Sequence, residues 1–145
     1  MAVHFIEPGA GPRERLYIEL GLHQLLNPAS SEALRLRHSM GPVQPVDLFQ
    51  TEVDVDEVQT IEDLMAVFAR VLRFPYHNDS QDGFLDWLRD LSWLPAQHYL
   101  VEVPRASRLW CEAQRAAGLL VEMWHSAEWH CWLQREVHFS LVFIW

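Results

Sequence analysis

At 145 residues the chain is near the common size of a single domain, which excludes two full domains and leaves one compact unit or one unit with an arm. Half of the residues are apolar and 21% are charged, a composition that forms a core and excludes disorder throughout. A formal charge of −9, with arginine as the only cation besides histidine, sets the chain against phosphate backbones and anionic headgroups, so neither a nucleic acid nor a membrane is an expected partner. The absence of lysine also removes a Schiff-base or P-loop amine.

The start, Met1-Ala2-Val3-His4, has no basic stretch before an apolar run, and nowhere do eighteen apolar residues follow one another, so the expectation is a soluble, cytoplasmic protein. Cys111 and Cys131 lack the spacing of a redox or zinc pair and read as reduced thiols. Pro8, Gly9, Gly11, Pro12, Pro28, Gly41, Pro42 and Pro45 break up the first 46 residues. Between them lie a short strand candidate, Val3 to Ile6, and helix candidates from Arg13 to Leu26 and from Ser31 to His38. Gly41 to Pro45 reads as a linker. Residues 1–46 are therefore assigned to an N-terminal extension and 47–145 to the main domain.

Phe49, Thr51, Val53 and Val55 alternate with polar residues and predict the first core strand. Thr60 and Asp63 have the spacing of a capping box, and Ile61, Leu64, Met65, Phe68, Val71 and Leu72 recur at helical spacing, which predicts a helix from Ile61 to Arg73. After a polar turn in which Asn78 suits a left-handed position, Asp82 to Leu91 predicts a second helix. A strand over His98 to Val103 follows, then a helix capped by Ser107 and ended by Gly118, a helix from Leu119 to Gln134, and a final strand from Val137 to Trp145 that reads as buried on both faces. Strands separated by helices imply an α/β fold with a small three-stranded parallel sheet covered by helices.

The helix from Asp82 places Phe84, Trp87, Leu88 and Leu91 on one core face, and Asp82, Leu85, Asp86, Arg89 and Asp90 on the other. Asp82 in the first turn is favoured by the macrodipole. Asp86 and Asp90 are not, because aspartate is a poor interior helix residue and Asp90 lies toward the negative end. Gly83 weakens the helix by about 1 kcal/mol relative to alanine. An acidic face with one apolar knob, Leu85, and a residue that permits close approach suits a basic protein partner. From Asp47 to Asp90 there are eleven acidic residues against three arginines, so the negative field gathers around this helix.

The order of elements from Phe49 onward, with Thr60-Ile61-Glu62-Asp63-Leu64, Phe74-Pro75-Tyr76, Asp82-x-x-x-Asp86 and Leu91-x-Trp93-Leu94-Pro95, resembles the barstar family of intracellular ribonuclease inhibitors. Asp82-Gly83-Phe84-Leu85-Asp86-Trp87-Leu88 is similar to that family's Asp-Ala-Leu-Trp-Asp-Cys-Leu heptad. The resemblance implies an immunity protein without catalytic activity or cofactor, which occludes the active site of a cognate ribonuclease toxin. It places Tyr76, Asp79, Asp82, Leu85 and Asp86 on the partner-binding side, with Asp86 central and Asp90 in support. Departures from the family pattern are Asn78 for a turn glycine, Ser80 for an asparagine, and Leu85 and Leu91 for tryptophans. Trp93 lies close to the second of these, and Glu128 and Glu136 are both candidates for the family's late acidic contact. The alternatives are the same fold serving a non-ribonuclease toxin or another protein, and a small metal-binding hydrolase built on His125, Glu128, His130 and Cys131. The spacing argues against the metal, because His125 and His130 are not separated by one helical turn.

Overall fold

The computed structural model describes residues 3–6, 46–76 and 80–145. Four parallel strands, β1 (Val3–Ile6), β2 (Val46–Glu52), β3 (Ala96–Val103) and β4 (His138–Ile144), form one sheet in the order β1-β4-β3-β2. The α/β class and the parallel sheet are as expected, but the sheet has four strands. The added strand is Val3–Ile6, which pairs with β4 and so makes β4 an interior strand. The two helix candidates and the linker between residues 13 and 45, and the turn residue Asn78, lie outside the described residues.

α1 (Ile61–Val71) begins with the anticipated capping box: Asp63 N–H donates to Thr60 Oγ1, and Thr60 N–H returns a bond to Asp63 Oδ2, each at 3.1 Å. Two backbone N–H groups, from Gln59 and Thr60, hold the Asp63 carboxyl below the ordinary carboxylate range. The helix ends in a Schellman motif, with Arg73 left-handed at φ 57° and bonds from Phe74 N–H to Ala69 O and from Arg73 N–H to Arg70 O.

α2 (Gln81–Asp90) leads to β3 through a tight exit that Tyr99 fastens. The Tyr99 hydroxyl donates to Leu94 O at 2.6 Å and accepts from Ala96 N–H at 3.1 Å. Burial pushes that phenol up to about 12.

The next two helices depart from the expected boundaries. α3 (Ala106–Glu112) starts after Arg105 in the left-handed region, with no side-chain cap from Ser107. α4 (Gln114–Ala127) runs through Gly118, so this glycine does not terminate a helix. Beyond Ala127 the chain widens into a π-helical turn, Glu128–Trp132, and stops in a second Schellman motif at Glu136. The periodicity that suggested one helix to Gln134 does not register the extra residue of a π turn.

All four helices pack on one face of the sheet, where Tyr99, Val101, Phe139, Leu141 and Phe143 meet Leu64, Phe68, Leu88, Leu120 and Trp124. Trp124 is the centre of this layer. Its ring stacks on Phe139 with centroids 3.9 Å apart, and its indole N–H donates to Phe139 O at 3.1 Å. Apart from its two ends β4 is buried, as its apolar run predicts. Among the described residues no helix is long and apolar enough to cross a membrane.

Two stability changes follow. Thr60→Ala should cost about 1 kcal/mol in chemical denaturation, by removing one half of the box. Trp124→Ala should cost about 3–5 kcal/mol. Because the Asp63 pKa is depressed in the fold, its stabilisation is present above the unfolded value of 3.8 and is lost as pH falls through the lower folded value. Asp63→Asn should therefore flatten the acid limb of the stability curve, which urea titrations from pH 5 to 2 would measure.

Candidate functional site: the acidic face of the second helix

Ser80 caps α2 by accepting from Gly83 N–H at 3.0 Å. The residue at that position serves through its backbone amide, so the cap does not require glycine there. Phe84, Leu88 and Leu91 are buried and Trp87 is half-buried, in agreement with the predicted core face. Asp82, Asp86 and Asp90 are exposed. They recur every four residues, which sets them in one stripe with a rise of about 6 Å between neighbours and about 12 Å in all. Like charges at this spacing repel by about 0.2–0.5 kcal/mol per pair.

The arginine within the helix does not relieve them. Arg89 turns toward α4, where its Nη2 donates to Ser126 Oγ at 2.9 Å, and its Nε is buried without a hydrogen-bond partner. Among the described residues no cation pairs with Asp82, Asp86 or Asp90. Three other aspartates are occupied. Asp54 and Asp56 both pair with Arg105, at 3.6 and 3.0 Å, and Asp63 serves the cap of α1. The three carboxylates of α2 keep their charge unpaired.

Tyr76 is 73% exposed, with its ring 6.2 Å from that of Trp87 on α2. Trp87 in turn packs edge-on against Trp93 at 5.2 Å, and Phe74 touches both. The Trp93 indole N–H is used on Leu72 O at 2.9 Å. This aromatic base supports Tyr76 and joins it to α2. Asp79 lies outside the described residues. Leu85 does not stand out as a free knob: it is half-buried and packed against the main core. Leu91 is buried in the left-handed C-cap position at φ 45°.

The far end of α2 depends on residues that sequence periodicity did not select as part of the site. The Trp132 indole N–H donates to Leu88 O at 2.8 Å, and the Cys131 thiol lies 3.0 Å from Arg89 O. Both groups come from the π turn, and they satisfy carbonyls that a helix end leaves without intrahelical partners. The same contact occupies the thiol that a nucleophilic or metal role would need. Among the described residues no group of three or more His, Cys, Asp or Glu side chains could hold a metal ion, and His130 is exposed.

Fold and face together define a small α/β protein whose most distinctive surface is a rigid helix lined with unpaired carboxylates. The family model for barstar, described as the barnase inhibitor, matches residues 48–144, and the chain belongs to the barstar family. No curated protein matches the chain.

Trp132→Phe keeps the aromatic body and removes the bond to Leu88 O. It should cost about 1 kcal/mol and speed amide exchange selectively in the last turn of α2. Unchanged exchange there would mean that the π turn does not restrain the helix.

Proposed function

We propose that this protein is an immunity protein that binds a cognate ribonuclease toxin in the cytoplasm and blocks its active site with the outer face of α2. The observation that carries this reading is the stripe Asp82, Asp86 and Asp90, exposed and without a cation of its own chain among the described residues. A ribonuclease site gathers arginine, lysine and histidine around a phosphate, and carboxylates fixed on a helix satisfy the same donors with nothing to cleave. The folded helix has already met the ordering cost and the repulsion between its carboxylates, so association with a cationic site relieves strain in the free protein.

In this reading Asp86, at the middle of the stripe, is the central contact, flanked by Asp82 and Asp90. Tyr76 adds an exposed ring at one end, and Asp79 belongs to the same acidic group. Leu85 contributes its exposed edge only. The protein itself catalyses nothing. Opposite charge on the two partners accelerates encounter, an effect for which barnase and barstar are themselves the reference pair.

A second reading keeps the surface and changes the target to a non-ribonuclease toxin or another basic protein. What favours it is the loss of aromatic surface: Leu85 and Leu91 are drawn into the core where the family carries tryptophans, so the apolar part of the interface differs.

Barnase and the product of the neighbouring reading frame are the two probes. The protein should suppress RNA cleavage by at least one of them at a one-to-one ratio. Asp86→Ala should weaken that complex by several kcal/mol in calorimetry, as for a buried interfacial anion, with smaller losses for Asp82→Ala and Asp90→Ala. Association rates should fall steeply between 50 and 500 mM salt. If the triple alanine variant inhibits as well as the unchanged protein, α2 is not the binding face. Tight binding to the neighbour without any effect on RNA cleavage would select the second reading.

A further inference from the structure

By position Arg89 belongs to the acidic face that it fails to neutralise. It follows Asp82 by seven residues, nearly two turns, and Asp86 by three, so its Cα stands on the same side of α2 as both carboxylates. An acid one turn before a base is the favoured order for a pair on a helix surface. Asp82 and Asp86 are exposed, so pairing with either carries little desolvation cost for the acid.

The side chain nonetheless leaves the helix surface for α4. Its Nη2 donates to Ser126 Oγ at 2.9 Å in a partly buried place, and its Nε is buried without a hydrogen-bond partner. Among the described residues the Ser126 hydroxyl is the only acceptor of this guanidinium. Arg89 makes no ion pair among them, neither with Asp86 nor with Glu128, whose Oε2 is also buried without a partner. A half-buried guanidinium needs its donors satisfied, so its place between α2 and α4 depends on that hydroxyl. A hydrogen bond from a charged donor outweighs an exposed pair within one helix, which is why the inward arrangement wins. The backbone of Arg89 is held separately, by the Cys131 thiol 3.0 Å from its carbonyl oxygen. The side chain is therefore able to move without the helix.

We propose that Ser126 is a positioning residue for the acidic face: by holding the Arg89 guanidinium on α4, it keeps Asp82 and Asp86 clear of the one cation that their own helix carries. Without the hydroxyl the guanidinium loses its acceptor, turns outward and screens the middle of the stripe, where Asp86 stands. Ser126 acts on the charge of α2 only through Arg89. The effect on charge belongs to the free protein; the effect on binding rests on the reading of α2 as the face that meets a basic partner.

Charge at α2 is measurable without a partner. Amide relaxation by a cationic nitroxide, divided by that of a neutral nitroxide of the same size, reports how strongly a cation gathers beside each residue. In the unchanged protein the ratio should be high from Asp82 to Asp90. Ser126→Ala should lower it about twofold around Asp86, the effect of one charge about 6 Å away in water with salt. The same variant should exchange the nuclear Overhauser contacts between the Arg89 side chain and residue 126 for contacts with Asp82 or Asp86. Ser126→Thr, which keeps the hydroxyl, should retain the original ratio, and Ser126→Ala combined with Arg89→Gln should restore it to at least the original value. A role confined to packing does not produce this pattern. An undiminished ratio in folded Ser126→Ala, a loss that Arg89→Gln fails to reverse, or Arg89 contacts that move to Glu128 instead would each overturn the proposal.

Barnase and the product of the neighbouring reading frame extend the test to binding. With whichever of them the unchanged protein inhibits, Ser126→Ala should slow association about two- to threefold, and the double variant should recover the rate. An unchanged association rate in Ser126→Ala overturns the role in binding. If neither probe is bound while the nitroxide ratios change as expected, Ser126 positions Arg89 as proposed and the ribonuclease reading of α2 fails.

Discussion

The Trp132 indole bond to Leu88 O holds the last turn of the helix that presents the acidic face. A helix that carries three carboxylates on one stripe works against itself, and its last turn is the weakest part because Asp90 faces the negative end of the dipole. Trp132 and Cys131 draw that end onto the π turn, while Leu91 enters the core in a left-handed conformation that ordinarily costs a non-glycine residue about 1 kcal/mol or more. Burial of Phe84, Leu88 and Leu91 offsets these costs. The stripe persists because the hidden side of the helix is strongly held.

Arg89 illustrates how function and packing divide a single helix. Its guanidinium lies within one turn of Asp86 and beside Asp90 in sequence, and it would neutralise either if it pointed outward. Directed to Ser126, it links α2 to α4 and leaves both carboxylates to solvent. A contact that joins two helices thus also maintains the charge of the outer face. Arg105 does the reverse, pairing with Asp54 and Asp56 at exposed positions worth little to stability.

The sheet adds a constraint of a different kind. With β1 beside β4 and β2 at the opposite edge, the chain has to travel the full width of the sheet before the matched region begins. The helix layer carries the acidic surface and packs on the sheet through Trp124, Phe139 and Tyr99.

Sequence alone determined the local elements and the chemistry of the outer face. Thr60 and Asp63 specify their cap through bonds made within four residues, Phe84 and Leu88 mark a buried side through a period of 3.6, and the excess of aspartate needs no tertiary information to be seen. The run from Val137 to Trp145 likewise announced an interior strand. Only the tertiary structure decided that Val3–Ile6 would make a fourth strand, that the last helix would end in a π turn, that Leu85 would lean into the core, and that Arg89 would turn from its aspartates to Ser126. Each of these depends on a partner distant in sequence, Leu141 for Val3 and Leu88 for Trp132 among them, and periodicity reports only which side of an element is apolar, never what it meets.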